Sequence, residues 1–156
     1  MNRWIEFIIL LVFFIPIVIS DLRKKRIPDI CIYSCLGIIL ILRIVFKCNL
    51  SPRMLINLLT GFFFIWVIWL LTKGKIGLGD AKLSSLIAVV LGIPGWLLAL
   101  FLAAVTGILF SLIRLSLAKM KKEDTIPFAP FLAAGSIASF FLAFIHPLDI
   151  ILGSYI

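Results

Sequence analysis

Apolar residues come in long unbroken runs along this chain, and polar residues collect in short stretches between them. Six runs are each near the length that crosses a bilayer as a helix. The first spans about Trp4 to Ser20, the second Ile30 to Phe46 and the third Met54 to Thr72. The fourth, Asp80 to Ile93, is short, about 20 Å at 1.5 Å per residue. The fifth covers Trp96 to Ala118 and the sixth Ile126 to Ile145, before a tail from His146 to Ile156. The polar connections are Asp21–Asp29, Lys47–Arg53, Lys73–Gly79, a tight turn at Gly92-Ile93-Pro94-Gly95, and Lys119–Thr125. The pattern predicts an all-α fold: a polytopic integral membrane protein, a bundle of about six transmembrane helices, forming a single domain over 1–156.

Composition strengthens the membrane reading. Of 156 residues, 63% are hydrophobic, against roughly 45–50% in a soluble domain. The net charge of +8 does not indicate nucleic acid, because the basic residues sit in the connections, as membrane topology requires. Arg23, Lys24, Lys25, Arg26, Lys73, Lys75, Lys82, Lys119, Lys121 and Lys122 fall at one end of the predicted bundle, with Arg114 just inside it. Arg3, Arg43, Lys47 and Arg53 fall at the other. That bias places the three richly basic connections in the cytoplasm and both termini outside. Asp21 and Asp80 then lie at the same, cytoplasmic, membrane surface.

The first run does not read as a cleavable signal peptide, since the strong positive cluster follows the apolar stretch rather than preceding it. Cys31, Cys35 and Cys48 lack the Cys-x-x-Cys spacing of a zinc or redox site and read as packing residues. No metal or cofactor is expected. Ala103, Gly107 and Ser111, and then Gly135, Ser139 and Ala143, recur every four residues, as in closely approaching membrane helices.

Candidate chemistry concentrates at Gly77-Leu78-Gly79-Asp80-Ala81-Lys82-Leu83. A carboxylate at the edge of hydrocarbon is costly and marks a functional site with a partner to be found. Asp21, ending the first run, is the candidate partner. Peptide hydrolysis by two carboxyls needs one ionised and one protonated, and two like charges a few Å apart share a proton readily. Gly77 and Gly79 permit φ > 0 and close approach of a substrate backbone, and Lys82 is placed to hold anionic substrate groups or lipid phosphate. Pro28 and Pro127 suit first helical turns. Each residue also has a bland reading. Asp21 alone is a solvated helix-end cap, Asp29 the N-cap of the second helix, Glu6, His146 and Asp149 are solvated, and Arg43 snorkels.

Four elements occur in order. They are Asp21, Ile27-Pro28-Asp29, Gly77-x-Gly79-Asp80-x-Lys82, and Ile126-Pro127-Phe128-Ala129-Pro130-Phe131-Leu132-Ala133-Ala134-Gly135. Together they resemble the type IV prepilin peptidase family and the related preflagellin peptidases, over nearly the whole chain. The resemblance implies that Asp21 and Asp80 are the two catalytic aspartates. It matches Gly77, Gly79 and Lys82 to the motif, and Pro127, Phe128, Pro130 and Phe131 to the stretch that opens the last helix. It implies an inner-membrane aspartyl endopeptidase that removes a short leader from prepilin-like or preflagellin-like membrane substrates, usually after a glycine. Ala129 stands where the family usually has glycine, which bears on local packing. The N-terminal Cys-x-x-Cys region of the larger, methylating members has no counterpart here, so a peptidase-only form is expected. Two other classes stay open: a proton- or ion-coupled transporter using both acids as a relay, and a non-catalytic pilus-assembly scaffold.

The charge bias makes a direct prediction. In a Cys-free background, Lys24→Cys, Lys75→Cys and Lys121→Cys resist an impermeant thiol reagent in intact cells, and Ser51→Cys reacts. Labelling of the first three from outside would overturn the topology.

Overall fold

The computed structural model describes residues 3–24, 26–46, 52–73, 77–116 and 127–145. Among them the chain is all-helical, with five elements: α1 (Arg3–Lys24), α2 (Asp29–Val45), α3 (Pro52–Leu71), α4 (Leu78–Ser116) and α5 (Ala129–Ile145). The elements number five rather than the expected six, because the fourth and fifth predicted runs are continuous in α4, which non-helical angles at Gly92 divide into two helical limbs. The expected four-residue turn shrinks to Gly92, whose φ of 73° and ψ of 169° are the only non-helical angles inside α4. Pro94 falls in the first turn after that break, where a missing N–H leaves no bond unmade.

The break is sharp. Ser84 and Trp96 would stand about 18 Å apart along a straight helix, yet Trp96 Nε1 donates to Ser84 Oγ at 2.7 Å. The limbs 78–91 and 93–116 therefore fold back toward each other about Gly92. A residue with a Cβ disfavours these angles strongly, which is why glycine stands here.

α4 packs against each of the other four helices. Its first limb is buried nearly all round: Asp80, Ala81, Leu83, Ser84, Leu86, Ile87, Ala88, Val89 and Val90 are all in the interior. The run is short in sequence because it forms the centre of the bundle. α3 reaches it through Gly61, where a Cβ would stand 2.8 Å from both Ala88 Cβ and Ser85 Cα. α5 lies antiparallel to the second limb. Phe131 meets Gly107 and Phe110, Gly135 meets the Ala99 and Ala103 backbone, and Ser139 Oγ donates to Gly95 O at 2.6 Å. The small residues Ala103, Gly107, Gly135 and Ser139 thus serve close backbone approach, as their spacing predicts.

α1 shows what kind of surroundings the bundle occupies. Phe7, Leu10, Phe14, Ile17 and Asp21 repeat at intervals of three and four residues and face inward. The opposite face, Ile8, Val12, Ile15 and Ile19, is also apolar, yet it points out of the bundle. A helix apolar all round belongs in an apolar medium. Three helical stretches are long and apolar enough to cross a membrane, Trp4–Lys24, Pro52–Leu71 and Leu78–Arg114, and Ala129–Ala143 is a shorter apolar helix. Lys25, Lys75, Lys119, Lys121, Lys122, Cys48, His146 and Asp149 lie outside the described residues.

At the bundle end away from Asp21, α1, α2 and α4 are pinned by one polar cluster. Arg43 Nε and one terminal nitrogen donate to the two Glu6 carboxylate oxygens at 2.7 Å each. The same terminal nitrogen reaches Val89 O at 3.4 Å. Glu6 is thus buried and paired, not solvated, and Arg43 turns inward to it rather than snorkelling. A carboxylate at that inward position needs a counter-charge, and a bidentate arginine satisfies both of its oxygens.

Two predictions follow from these contacts. Arg43→Met leaves Glu6 buried alone and destabilises the bundle by about 3–5 kcal/mol, read as a lowered unfolding midpoint in detergent. Adding Glu6→Met recovers most of that loss. Gly92→Ala costs about 1–3 kcal/mol through backbone strain, measured in the same way.

Candidate active site

Asp21 reaches the interior because it continues the inward 3-4 spacing of α1 one step beyond Ile17. The same residue falls three places before the end of the helix, so a core register position coincides with the polar end of an apolar rod. Asp21 is only 6% exposed and Asp80 8%. Asp80 lies in the first turn of α4. Its N–H donates to Gly77 O at 3.0 Å, and its carboxyl turns back to accept from the Gly77 backbone N–H, the half of a capping box that the third helical position supplies. The two carboxyls are near enough to interact electrostatically.

The glycines act differently from expectation. Neither Gly77 nor Gly79 has a positive φ; among the described glycines only Gly92 does. At Gly77 a Cβ would stand 3.4 Å from Asp80 Oδ2, an ordinary contact. At Gly79 a Cβ would stand 3.0 Å from Ile27 Cβ. The close approach at Gly79 is therefore made by the connection between α1 and α2. That connection is fixed at its other side by Ser20 Oγ, which donates to Arg26 O at 2.9 Å.

Lys82 is also occupied within the chain. Its Nζ lies 2.7 Å from both Asp29 carboxylate oxygens and 5.6 Å from the centre of the Tyr33 ring. Asp29 is accordingly the first residue of α2 rather than its N-cap. Pro28 takes the N-cap position with extended backbone, φ −70° and ψ 117°, and no side chain caps the helix. Lys82 and Asp29 together join α4 to α2 beside the two carboxyls.

The opening of α5 completes the site. Pro127 and Phe128 precede the helix and are half-buried. Pro130, not Pro127, occupies the first turn. Ala129 is fully buried, and its backbone N–H donates to Asp21 Oδ2 at 3.1 Å. This contact was missed in reading the sequence, where Ala129 stood out only for packing. The signal was present in Pro-Phe-Ala-Pro-Phe, since flanking prolines leave few backbone donors at a helix start.

The structure thus gathers Asp21, Asp80, Gly77, Gly79 and the start of α5 at one end of the bundle, and turns Lys82 to the side with Asp29. Among the described residues no three His, Cys, Asp or Glu side chains form a group able to hold a metal ion. Cys35 is buried in the core and Cys31 is half-buried, both as free thiols.

The chain is similar to the prepilin leader peptidase/N-methyltransferase of Bacillus subtilis (strain 168), 29% identical over 126 residues that cover 81% of this chain and 51% of that protein. It is similar to the proteins of the same description from Burkholderia pseudomallei strains 1026b and K96243, each 36% identical over 103 residues, 63% of this chain and 33% of theirs. It therefore spans about half the length of the first relative and a third of the others. No solved structure matches. The sequence pattern of the type IV leader peptidase family matches residues 8–112, from the second turn of α1 almost to the end of α4 and through both Asp21 and Asp80, and the chain belongs to that family.

Proposed function

We propose that this chain is an aspartyl endopeptidase that removes the leader peptide of prepilin-like membrane proteins at the cytoplasmic membrane face. The observation that carries this reading is the pairing of Asp21 and Asp80. Two carboxyls from different helices are buried at the same end of the bundle, each against a backbone group and neither paired with a cation among the described residues. A structural role would be served by one capped carboxylate. Two in electrostatic contact are the arrangement that holds a single proton between them.

The chemistry needs only that pair and water. The ionised carboxyl takes a proton from water, and the water oxygen bonds to the peptide carbon. The protonated carboxyl gives its proton to the carbonyl oxygen, forming a neutral tetrahedral diol. The second carboxyl, now ionised, recovers a proton from one diol hydroxyl as the C–N bond breaks. The first carboxyl, now protonated, gives its proton to the leaving nitrogen. The products are a new carboxyl on the leader and a free amine on the mature chain, and both aspartates return to their starting states. Phe128 and Pro130, at the mouth of α5, are proposed to shape the substrate path, as is Pro127. Gly79 shapes the site by letting Ile27 pack closely, and Gly77 by offering its backbone N–H to the Asp80 carboxyl. The membrane position fits a substrate whose leader precedes an apolar helix.

The pair is tested by removing each charge while keeping size. Asp21→Asn and Asp80→Asn each lower cleavage of a purified prepilin by about 10²–10⁴-fold, read by mass spectrometry of the product's N-terminus. The double substitution is scarcely worse, because groups acting as a unit are strongly non-additive. Either single variant cutting near the wild-type rate would refute the two-aspartate mechanism.

A further inference from the structure

We infer that the backbone N–H of Ala129 is a positioning group for the proposed hydrolysis: it holds Asp21 in its reacting orientation, and Pro130 keeps it the first-turn donor reserved for that carboxyl. The inference rests on the peptidase reading above and deepens it.

The start of a helix normally presents several N–H groups with no partner inside the helix. At α5 these are thinned one by one. Residue 130 is proline and has none. The Phe131 N–H donates to Phe128 O at 3.1 Å, and the Leu132 N–H donates to the same oxygen at 3.1 Å. Phe128, at the N-cap position, carries no side-chain oxygen that would satisfy the donor that remains. That donor, the Ala129 N–H, is fully buried and goes to Asp21 Oδ2 at 3.1 Å, across 108 residues of sequence.

The consequence is geometric. A buried aspartate on the last turns of α1 has two rotatable bonds, and among the described residues no side-chain donor is bonded to it. One N–H directed at one oxygen sets the plane of the carboxyl and leaves its other oxygen for water. A second donor at residue 130 would compete for the carboxyl, since N–H groups at the second and third helical positions are the usual targets of a capping oxygen. Proline removes that competitor while its fixed φ suits the helix. The donor belongs to the backbone, so the side chain at 129 is free to be alanine. Asp80 is held by its own helix through Gly77; Asp21 depends on a different helix. The start of α5 therefore sets the distance and attitude of one carboxyl relative to the other.

The test removes that N–H and nothing else. Lactic acid is introduced at position 129 by nonsense suppression, replacing the amide by an ester, in the full chain in detergent. The probe is a peptide with a short polar leader joined through glycine to an apolar helix. The expected result is a fall in kcat of about 100-fold, the scale of a small misplacement of a reacting group, with KM changed less than about twofold. Ala129→Gly keeps the donor and retains kcat within about threefold. Phenyllactic acid at position 131 makes an equivalent ester in the same turn, leaves the Ala129 N–H in place and also retains kcat. Ala129→Pro also lacks the donor and behaves like the 129 ester; if it does not insert, the ester decides. A 129 ester with wild-type kcat and only a lower unfolding midpoint would overturn the inference, because the bond would then be a helix cap alone. Equal loss in the 131 ester would overturn it too. A wild-type chain that cleaves no such peptide refutes the peptidase reading itself, and the inference with it.

Discussion

A polar group surrounded by hydrocarbon is tolerable only when a partner reaches it, and this requirement organises the bundle more firmly than apolar packing does. Between helices that are apolar on every side, burial distinguishes poorly between one arrangement and another, because lipid is as apolar as the neighbouring helix. The polar contacts do distinguish. Asp21 takes its donor from α5, Glu6 of α1 takes Arg43 from α2, and Arg43 reaches Val89 on α4. Trp96 ties the second limb of α4 to Ser84 on the first, and Ser139 ties α5 to Gly95. Each bond joins two helices or the two limbs of α4, and each fails if either partner shifts by a turn. The register of the helices, and with it the meeting of Asp21 and Asp80, follows from satisfying them all.

Much of this was legible in the sequence because it depends on local periodicity. The 3-4 spacing from Phe7 to Ile17 carries on to Asp21, so the inward direction of that carboxyl is readable without a structure. The Gly-x-Gly-Asp pattern marks a helix start, and Asp80 does occupy the first turn of α4. The small residues at 103, 107, 135 and 139 announced close helix contact. The six apolar runs correspond to the helical stretches found, with the fourth and fifth joined. That joining was hidden because Gly92 turns the chain with one residue. Gly-Ile-Pro-Gly reads as a loop to any rule that treats glycine and proline as breakers, and Pro94 is harmless only because it follows the break directly.

Other features were illegible for a different reason: they are pairings between residues distant in sequence. Asp29 was read as a cap for its own helix, a local role, whereas its carboxylate lies on Lys82, 53 residues away. Glu6 was assigned to solvent because it lies toward the outer end of its helix, yet its carboxylate meets Arg43, 37 residues on. Gly79 was read for backbone freedom and the approach of a substrate backbone; its φ is not positive, and Ile27 packs against it. Ala129 carried no side-chain chemistry at all, and its contribution is a backbone N–H. A pattern along one helix predicts which way a residue points; it does not say which residue of another helix will be there.

Two ion pairs among the described residues differ in how far they are exposed. Glu6 and Arg43 have side chains only 7% and 18% exposed, and separating them would leave charge stranded in an apolar interior. Asp29 and Lys82 have side chains 54% and 28% exposed, and an ion pair at a wet surface contributes about 0–1 kcal/mol. The end of the bundle away from the aspartates is thus clamped by a buried ion pair. At the end beside them Asp21 and Asp80 are nearly covered, and the connection from Arg26 to Asp29 is held by the Ser20–Arg26 hydrogen bond, the exposed Asp29–Lys82 pair and the packing of Ile27 on Gly79. The central limb at Val89 and the Ala129 N–H on Asp21 are held by contacts that none of these supplies.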